Sequence, residues 1–139
     1  MKKILVGVDR SPESRKAAEQ ASDLAASTGA EILLASVVPL PVAVGPEPGY
    51  LESLEFVERE HARALLRELS LACRARGIPV DTVMASGSPA EVLANMASTP
   101  DIDLVVVGHR GRGAIARVLL GSVADRLVQI SPKPVLVSR

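Results

Sequence analysis

The chain has 139 residues, a length that suits one domain with a sizeable core. Sixteen basic residues balance sixteen acidic ones, so the net charge is zero and we expect no general attraction to nucleic acid or to an anionic membrane. There is no Trp and only one Tyr and one Phe, so the core must be built from aliphatic side chains.

Neither a targeting segment nor disulfide chemistry is indicated. The first apolar run, Ile4–Val8, has five residues, which is too short for a signal peptide or a membrane span. We therefore expect the protein in the cytoplasm. Cys73 is the only cysteine, which excludes an internal disulfide, and its helical context favours a small buried side chain over a catalytic thiol.

Five short apolar runs predict strands. Most of them are continuously apolar rather than alternating, which is typical of strands that are covered on both faces, as in a parallel sheet. The runs are Ile4–Val8, Ile32–Val38, Val80–Ala85, Leu104–Val107 and Val135–Val137.

Helical patterns separate these runs. The first helix has Ser11 as its N-cap, Pro12 at its first position and Gly29 as its end. The second spans about Leu51 to Arg76, with Gly77 as its stop. The apolar residues that we expect to face the core in the second helix are Leu54, Val57, Leu65, Leu69 and Ala72.

The third helix begins at Ser88-Pro89, where Glu91 completes a predicted capping box. By periodicity alone, the fourth runs from about Ala114 to Ile130. A segment rich in Pro and Gly, residues 39–49, interrupts the alternation, and it is either a plain surface connection or a mobile flap over a site.

This order of elements predicts a single-domain α/β fold over residues 1–139. Alternating strands and helices favour a doubly wound, Rossmann-like, five-stranded parallel sheet with helices on both faces and the strand order 3-2-1-4-5. Ligands bind such sheets beyond the carboxyl ends of the strands, where the strand order reverses. Candidate ligand-binding residues should therefore follow strands 1 and 4.

Two stretches occupy those positions. Asp9 follows the first strand, and a glycine-rich turn, Gly108–Gly113, follows the fourth. Three glycines in six residues let backbone N–H groups approach an anion, and arginines lie nearby at 110, 112 and 117. The pattern fits a phosphate nest, although such turns also occur for steric reasons alone.

The common nucleotide motifs are absent from the sequence. A Walker A motif needs Gly-Lys followed by Ser or Thr, and no such tripeptide occurs. The dinucleotide fingerprint needs three glycines after the first strand, where this chain has Val8-Asp9-Arg10-Ser11-Pro12. A nucleotide site here must belong to another class.

A specific resemblance supplies that class. Gly108-x-x-Gly111, nine further residues and then Gly121-Ser122 match the G-2x-G-9x-G-[ST] signature of ATP-binding universal stress proteins. The opening KKILVGVDRSPES and the closing PVLVSR also resemble the first and last strands of that UspA-like family. The chain is similar to the family over its whole length, with Arg10 where a small residue is usual.

The resemblance implies roles for individual residues. Asp9 would hydrogen-bond the nucleoside, Val37 would lie against adenine, and Val107 with Gly108 would line the ribose and the α-phosphate. The other predicted cofactor-binding residues hold or adjoin the phosphates: His109, Arg110, Gly111, Gly121, Ser122 and Val123. For His109, a solvated or phosphate-touching role is favoured over that of a general base.

The nine-residue spacer revises the fourth helix. If that helix began at Ala114, Gly121 and Ser122 would lie inside it, and the Ser122 N–H could not reach a phosphate. We therefore expect residues 112–120 to be largely loop, with Gly121-Ser122 opening the helix.

The resemblance implies an ATP-binding stress-response regulator that signals through an unknown protein partner, with Mg²⁺ held only through the phosphates. It also implies a homodimer that pairs through the edge strand Val135–Val137. No catalytic or metal-ligating residue is predicted, and slow ATP hydrolysis stays open. The alternatives are a dimeric stress protein that docks without a nucleotide, and an adenylating ligase, for which 139 residues leave little room.

Overall fold

The computed structural model describes residues 1–40, 49–110 and 120–139. All five predicted strands and all four predicted helices are present within these ranges. In chain order they are β1 (Lys3–Gly7), α1 (Pro12–Thr28), β2 (Glu31–Val38), α2 (Tyr50–Ala75), β3 (Val80–Ser86), α3 (Pro89–Ala97), β4 (Ile102–Gly108), α4 (Ser122–Ile130) and β5 (Val135–Ser138). Most of the segment that we considered as a flap, residues 41–48, lies outside the described residues.

The sheet confirms the predicted topology. Every neighbouring pair of strands is parallel, and the order is β3-β2-β1-β4-β5. Strand β1 is central, with Ile4 opposite Ile32 of β2 on one side and opposite Leu104 of β4 on the other. The chain builds the sheet outward from β1 to β3 and then crosses to β4. The reversal therefore falls between β1 and β4, as predicted.

The core has one layer on each face of the sheet. On one face, α1 and α2 cover Ile4 and Val6 with small and branched side chains such as Ala21 and Leu65. On the other face, α3 and α4 cover Leu5 and Val105. Both faces of β1, β2 and β4 are thus largely buried, which explains their continuously apolar sequences, whereas the edge strand β3 is more exposed.

The caps of the first helix form as predicted, and those of the third form only in part. Ser11 Oγ accepts a hydrogen bond from Ser14 N–H at 3.1 Å, and Gly29 ends α1 in the left-handed conformation with φ 78°. Ser88 precedes α3 but makes no side-chain cap hydrogen bond. The predicted capping box is therefore wrong, because Glu91 pairs instead with Arg126 of α4 at 3.1 Å.

Helix α2 differs most from expectation. Leu65 and Leu69 are buried as predicted, but Leu54 and Val57 are 39% and 45% exposed, and Ala72 also faces solvent. Ala72 lies between buried Leu69 and Cys73 and so is on the outer side of the helix, whereas the exposure of Leu54 and Val57 follows from the length of α2. With 26 residues, α2 extends about 39 Å, whereas the eight residues of β2 cover about 26 Å.

The overhang of α2 lies at the carboxyl edge of the sheet. Arg59 donates a hydrogen bond to the hydroxyl of Ser86, the last residue of β3, at 2.9 Å. The turns of α2 that precede Arg59 therefore lie beyond the ends of the strands. In the described ranges, no helix combines the length and the apolarity that crossing a membrane requires.

At the opposite edge of the sheet, Asp103 holds the amino end of β1 in place through hydrogen bonds to its backbone. Its Oδ2 accepts hydrogen bonds from the backbone N–H groups of Lys2 and of Lys3, the latter at 3.3 Å. These two N–H groups, Lys2 first, hold the pKa of Asp103 below its usual value. A lowered pKa means that the ionised carboxylate stabilises the fold above its ordinary pKa, and that this contribution is lost as the pH falls through the folded-state value.

We expect Asp103→Asn to lower the melting temperature at pH 7, because the amide is a weaker acceptor for the two N–H groups. The difference from the wild type should shrink as the pH falls into the acid range, where the wild-type carboxylate becomes protonated. Thermal melts followed by circular dichroism between pH 7 and pH 3 measure this. Asp23→Asn, on the exposed side of α1, is the control, and an equal, pH-independent loss in both variants would contradict the assignment.

Candidate functional site

Asp9 lies in a tight turn between β1 and α1. Its backbone N–H donates to Ser14 Oγ at 2.7 Å, and its Oδ1 accepts from the N–H of Ser11 at 2.8 Å. Since Ser11 in turn caps α1, three residues of this turn hold one another in place. The carboxylate is thereby positioned at the carboxyl end of β1, on the reversal of strand order.

Helix α4 begins at the same edge. Gly121 is its N-cap, with extended backbone (φ −66°, ψ 158°), and Ser122 is its first helical residue. This confirms the start that the nine-residue spacer predicts and rules out a helix that runs unbroken from Ala114. The first N–H groups of a helix lack intrahelical acceptors and carry its positive dipole end, so this terminus is suited to an anion.

A short backbone link positions the start of α4. The N–H of Gly121 donates to the carbonyl of His109 at 2.6 Å, and the N–H of His109 donates to the carbonyl of Ser138 at 2.7 Å. The residue that follows β4 therefore holds both the start of α4 and the end of β5. Because of this link, α4 opens toward the end of β4.

Gly108 is required for packing against α1. A Cβ at this position would lie 2.9 Å from the carbonyl carbon, the carbonyl oxygen and the Cβ of Glu13 in α1. Such contacts are closer than real Cβ atoms make, and a helix backbone cannot move aside as a flexible side chain can. Glycine at 108 lets the end of β4 lie directly against the first turn of α1.

These elements enclose a cleft of about 870 Å³. This volume lies within the range of small-molecule sites, roughly 300–1,000 Å³. The cleft lies over the carboxyl ends of β1, β2 and β4. The predicted site residues that line it are Asp9, Val37, Val107, Gly108, Arg110, Gly121, Ser122 and Val123.

Two predicted site residues are placed differently. His109 is not among the described residues that line the cleft. Its Nε2 accepts a hydrogen bond from Arg110 Nε at 3.1 Å, and its Nδ1 is buried with no partner among the described parts of the chain. Gly111, the second glycine of the signature, lies outside the described residues, as do residues 112–119.

Comparison with known proteins identifies the family. The model of the universal stress protein family matches residues 1–139 of the chain. The chain belongs to the universal stress protein family.

Individual relatives agree in sequence and in fold. A universal stress protein of Methanocaldococcus jannaschii is 33% identical over 137 residues, which cover 98% of this chain and 81% of the relative. The structure of UspA from Lactobacillus plantarum is similar with a TM-score of 0.89 and 27% identity, covering 99% and 97% of the two chains. A universal stress protein solved in complex with cAMP is similar with a TM-score of 0.75 and 27% identity, covering 99% and 97%.

The charges of this universal stress protein site are paired within the chain. Arg110 Nη2 lies 3.5 Å from Glu13 Oε1, and Arg10 Nη2 lies 3.7 Å from Glu58 Oε1. Both arginines are therefore oriented by carboxylates of the same chain. Among the described residues, no group of three His, Cys, Asp or Glu side chains could hold a metal ion.

Helix α2 forms a part of the cleft lining that the sequence did not predict. Glu58, His61, Ala62 and Leu65 all line the cleft. Their spacing marks one face of a helix, but core packing predicts the same spacing. The sequence contains no signal that this face passes the end of β2, because that depends on where α2 crosses the sheet edge.

We expect Gly108→Ala to destabilise the protein by about 1–3 kcal/mol, as overpacking does, because the new methyl group meets the backbone of α1. The melting temperature should fall by several degrees in a thermal melt. Gly77→Ala is the comparison: its Cβ would meet open space, so only the strain of its left-handed φ of 73° remains. A Gly108→Ala variant that melts with the wild type would contradict the packing role.

Proposed function

We propose that this protein binds ATP in the cleft between β1 and β4, and that occupancy changes how it meets a regulatory protein partner in the cytoplasm. The observation that carries the proposal is the start of α4. The N–H of Gly121 is bonded to His109, but the N–H groups of Ser122 and Val123 stand in the first turn of the helix, where they have no intrahelical acceptors. Both residues line the cleft together with Gly108, so the positive dipole end of α4 adjoins it.

The opposite part of the cleft suits a nucleoside. Asp9 supplies a fixed carboxylate for donor groups, and Val37 supplies an apolar surface for a base at the end of β2. The relative solved with cAMP contains an adenine nucleotide, and its fold and length match those of this chain. Phosphates at α4 and a base near Val37 would place the ligand across the reversal of strand order, where doubly wound sheets bind ligands.

Binding rather than dedicated catalysis is the proposed role. The oriented groups are backbone donors and paired charges, and the described residues contain no arginine that stands ready for a transferring phosphoryl group. Mg²⁺ would accompany ATP through the phosphates. Slow hydrolysis is compatible with this arrangement and would not alter the binding role.

Dimerisation through β5 is part of the proposal. Strand β5 lies at the edge of the sheet, and within the described ranges β4 is its one strand partner. The carbonyl of Pro134 accepts a hydrogen bond from Val105 of β4 at 2.9 Å, and that of Ser138 accepts one from His109, the residue after β4, at 2.7 Å. Since parallel strands alternate, the backbone groups of Val135 and Val137 point outward, and they are available to a second copy of the chain.

Ser122→Asp tests the phosphate site. An aspartate in the first turn of a helix is favoured by the dipole, so α4 should still form while its carboxylate repels the phosphates. We expect ATP affinity to fall about tenfold or more, measured by titration calorimetry, because like charges in contact repel strongly in a partly dehydrated cleft.

Ser53→Asp is the matched control, since it adds the same charge to the first turn of α2, and Ser53 does not line the cleft. It should bind ATP as the wild type does. The low aromatic content offers a second readout, because bound adenine would dominate the ultraviolet absorbance of the purified protein. If the wild type neither carries nor binds an adenine nucleotide, the docking-only alternative replaces this proposal.

Val137→Pro tests whether two copies of the chain pair through the outer edge of β5. It removes an outward N–H without removing a hydrogen bond to β4, so the protomer should fold while pairing of two edges is blocked. We expect the wild type to elute as a dimer and Val137→Pro as a monomer in size-exclusion chromatography with light scattering. Val137→Ala truncates the side chain but keeps the N–H, and should remain dimeric. A dimeric Val137→Pro would place the interface elsewhere.

A further inference from the structure

The cleft has a wall that the family signature does not reach. Helix α2 contributes four lining residues, Glu58, His61, Ala62 and Leu65, which recur at the spacing of one helical face. Ala62 and Leu65 are apolar and buried. Glu58 and His61 are polar and more exposed to solvent. This wall therefore has the composition of a ligand-binding surface, with an apolar floor and a few polar groups.

The wall adjoins the nucleoside end of the cleft. Helix α2 packs on β2 and β3 and covers the α1 face of the sheet, whereas α4 covers the other face beyond β4. Val38, the last residue of β2, and Pro39 also line the cleft, so the strand on which α2 packs ends at it. With phosphates at the start of α4, the opposite end of the ligand, its base, comes to α2.

Among the residues of this wall, Glu58 has a carboxylate, which can accept directional hydrogen bonds from a ligand. Its side chain is only 21% exposed, and Arg10 Nη2, which also belongs to a residue that lines the cleft, lies 3.7 Å from its Oε1. An ionised carboxylate accepts hydrogen bonds and donates none. Since it can accept several at once, the contacts that Glu58 makes within the chain are compatible with accepting one more from a ligand.

We infer that Glu58 is a specificity-determining residue that accepts a hydrogen bond from the exocyclic amine of a purine. A 6-amino group satisfies the carboxylate, whereas a 6-oxo group at the same place brings two acceptors together and leaves both unsatisfied. The cleft therefore selects amino-purine nucleotides over oxo-purine nucleotides. Arg10 acts as a positioning residue, because it holds the carboxylate over the cleft. The inference rests on the proposed nucleotide binding.

Glu58→Gln tests it with three ligands: ATP, ITP, which replaces the 6-amino group by an oxo group, and dATP, which lacks the 2′-hydroxyl. An amide can donate as well as accept, so it suits an oxo group as readily as an amine. We expect the wild type to prefer ATP over ITP, and Glu58→Gln to reduce that preference by about tenfold in calorimetric Kd values. The preference between ATP and dATP should stay unchanged.

Glu60→Gln is the matched control. Glu60 lies on the same helix, pairs with Arg63 and is absent from the cleft lining, and its substitution changes the net charge by the same amount. It should keep the wild-type preference. A second variant, Glu58→Asp, keeps the charge but withdraws the carboxylate by one methylene, so it should bind ATP more weakly and still discriminate against ITP.

The outcomes separate the two proposals. If the wild type binds no purine nucleotide, the proposed function itself fails. If it binds ATP but Glu58→Gln leaves the ratio of ATP to ITP affinity unchanged, only the role of Glu58 is wrong. A changed ratio of ATP to dATP affinity, with the ITP ratio intact, would place Glu58 at the sugar and overturn recognition of the base. Far-ultraviolet circular dichroism of each variant shows whether the fold is retained.

Discussion

The hydrogen bond from Gly121 N–H to the carbonyl of His109 determines the geometry of the site. It brings the residue after β4 into contact with the N-cap of α4, so the helix starts beside the end of the strand. His109 also holds the end of β5 through Ser138. His109 therefore links the start of α4 to the edge strand β5 through two hydrogen bonds. A ligand at the start of α4 and a partner at β5 would both adjoin the backbone of this residue.

Close packing of α1 is the second constraint, and it explains why the cleft lies where it does. Gly108 allows β4 to touch the backbone of α1 at Glu13, and α1 faces the sheet with alanines such as Ala17 and Ala21. Small residues bring helix and sheet close together below the cleft. At the end of β1, Asp9, Ser11 and Ser14 form a turn in which they hydrogen-bond one another.

Paired charges reconcile an anion site with a chain of zero net charge. Arg110 lies beside Glu13, and Arg10 lies beside Glu58, so neither arginine adds a large unbalanced field. In the proposed site, attraction for phosphate would come from the start of α4, whose dipole acts only within the first turn.

Local signals in the sequence determined most of the architecture. The apolar runs, Ser11 and Gly29 as helix ends, and the β-α alternation predicted five parallel strands in their correct order, because covered strands and capped helices have residue requirements that act over a few positions. The spacing from Gly111 to Gly121 also predicted the start of α4, because a helix interior cannot offer its N–H groups to a ligand.

Only the tertiary structure decided the features that depend on distant segments meeting. Glu91 prefers Arg126 of another helix to the local capping box, and the exposure of Leu54 and Val57 follows from how far α2 extends past β2. The passage of α2 across the sheet edge near Arg59 brings Glu58 and His61 to the cleft, although they are far in sequence from Asp9 and Gly121. Periodicity shows that a helix has an inner face. It contains no information about where along its length that face leaves the core and begins to line a cleft, because that depends on the packed lengths of the elements around it.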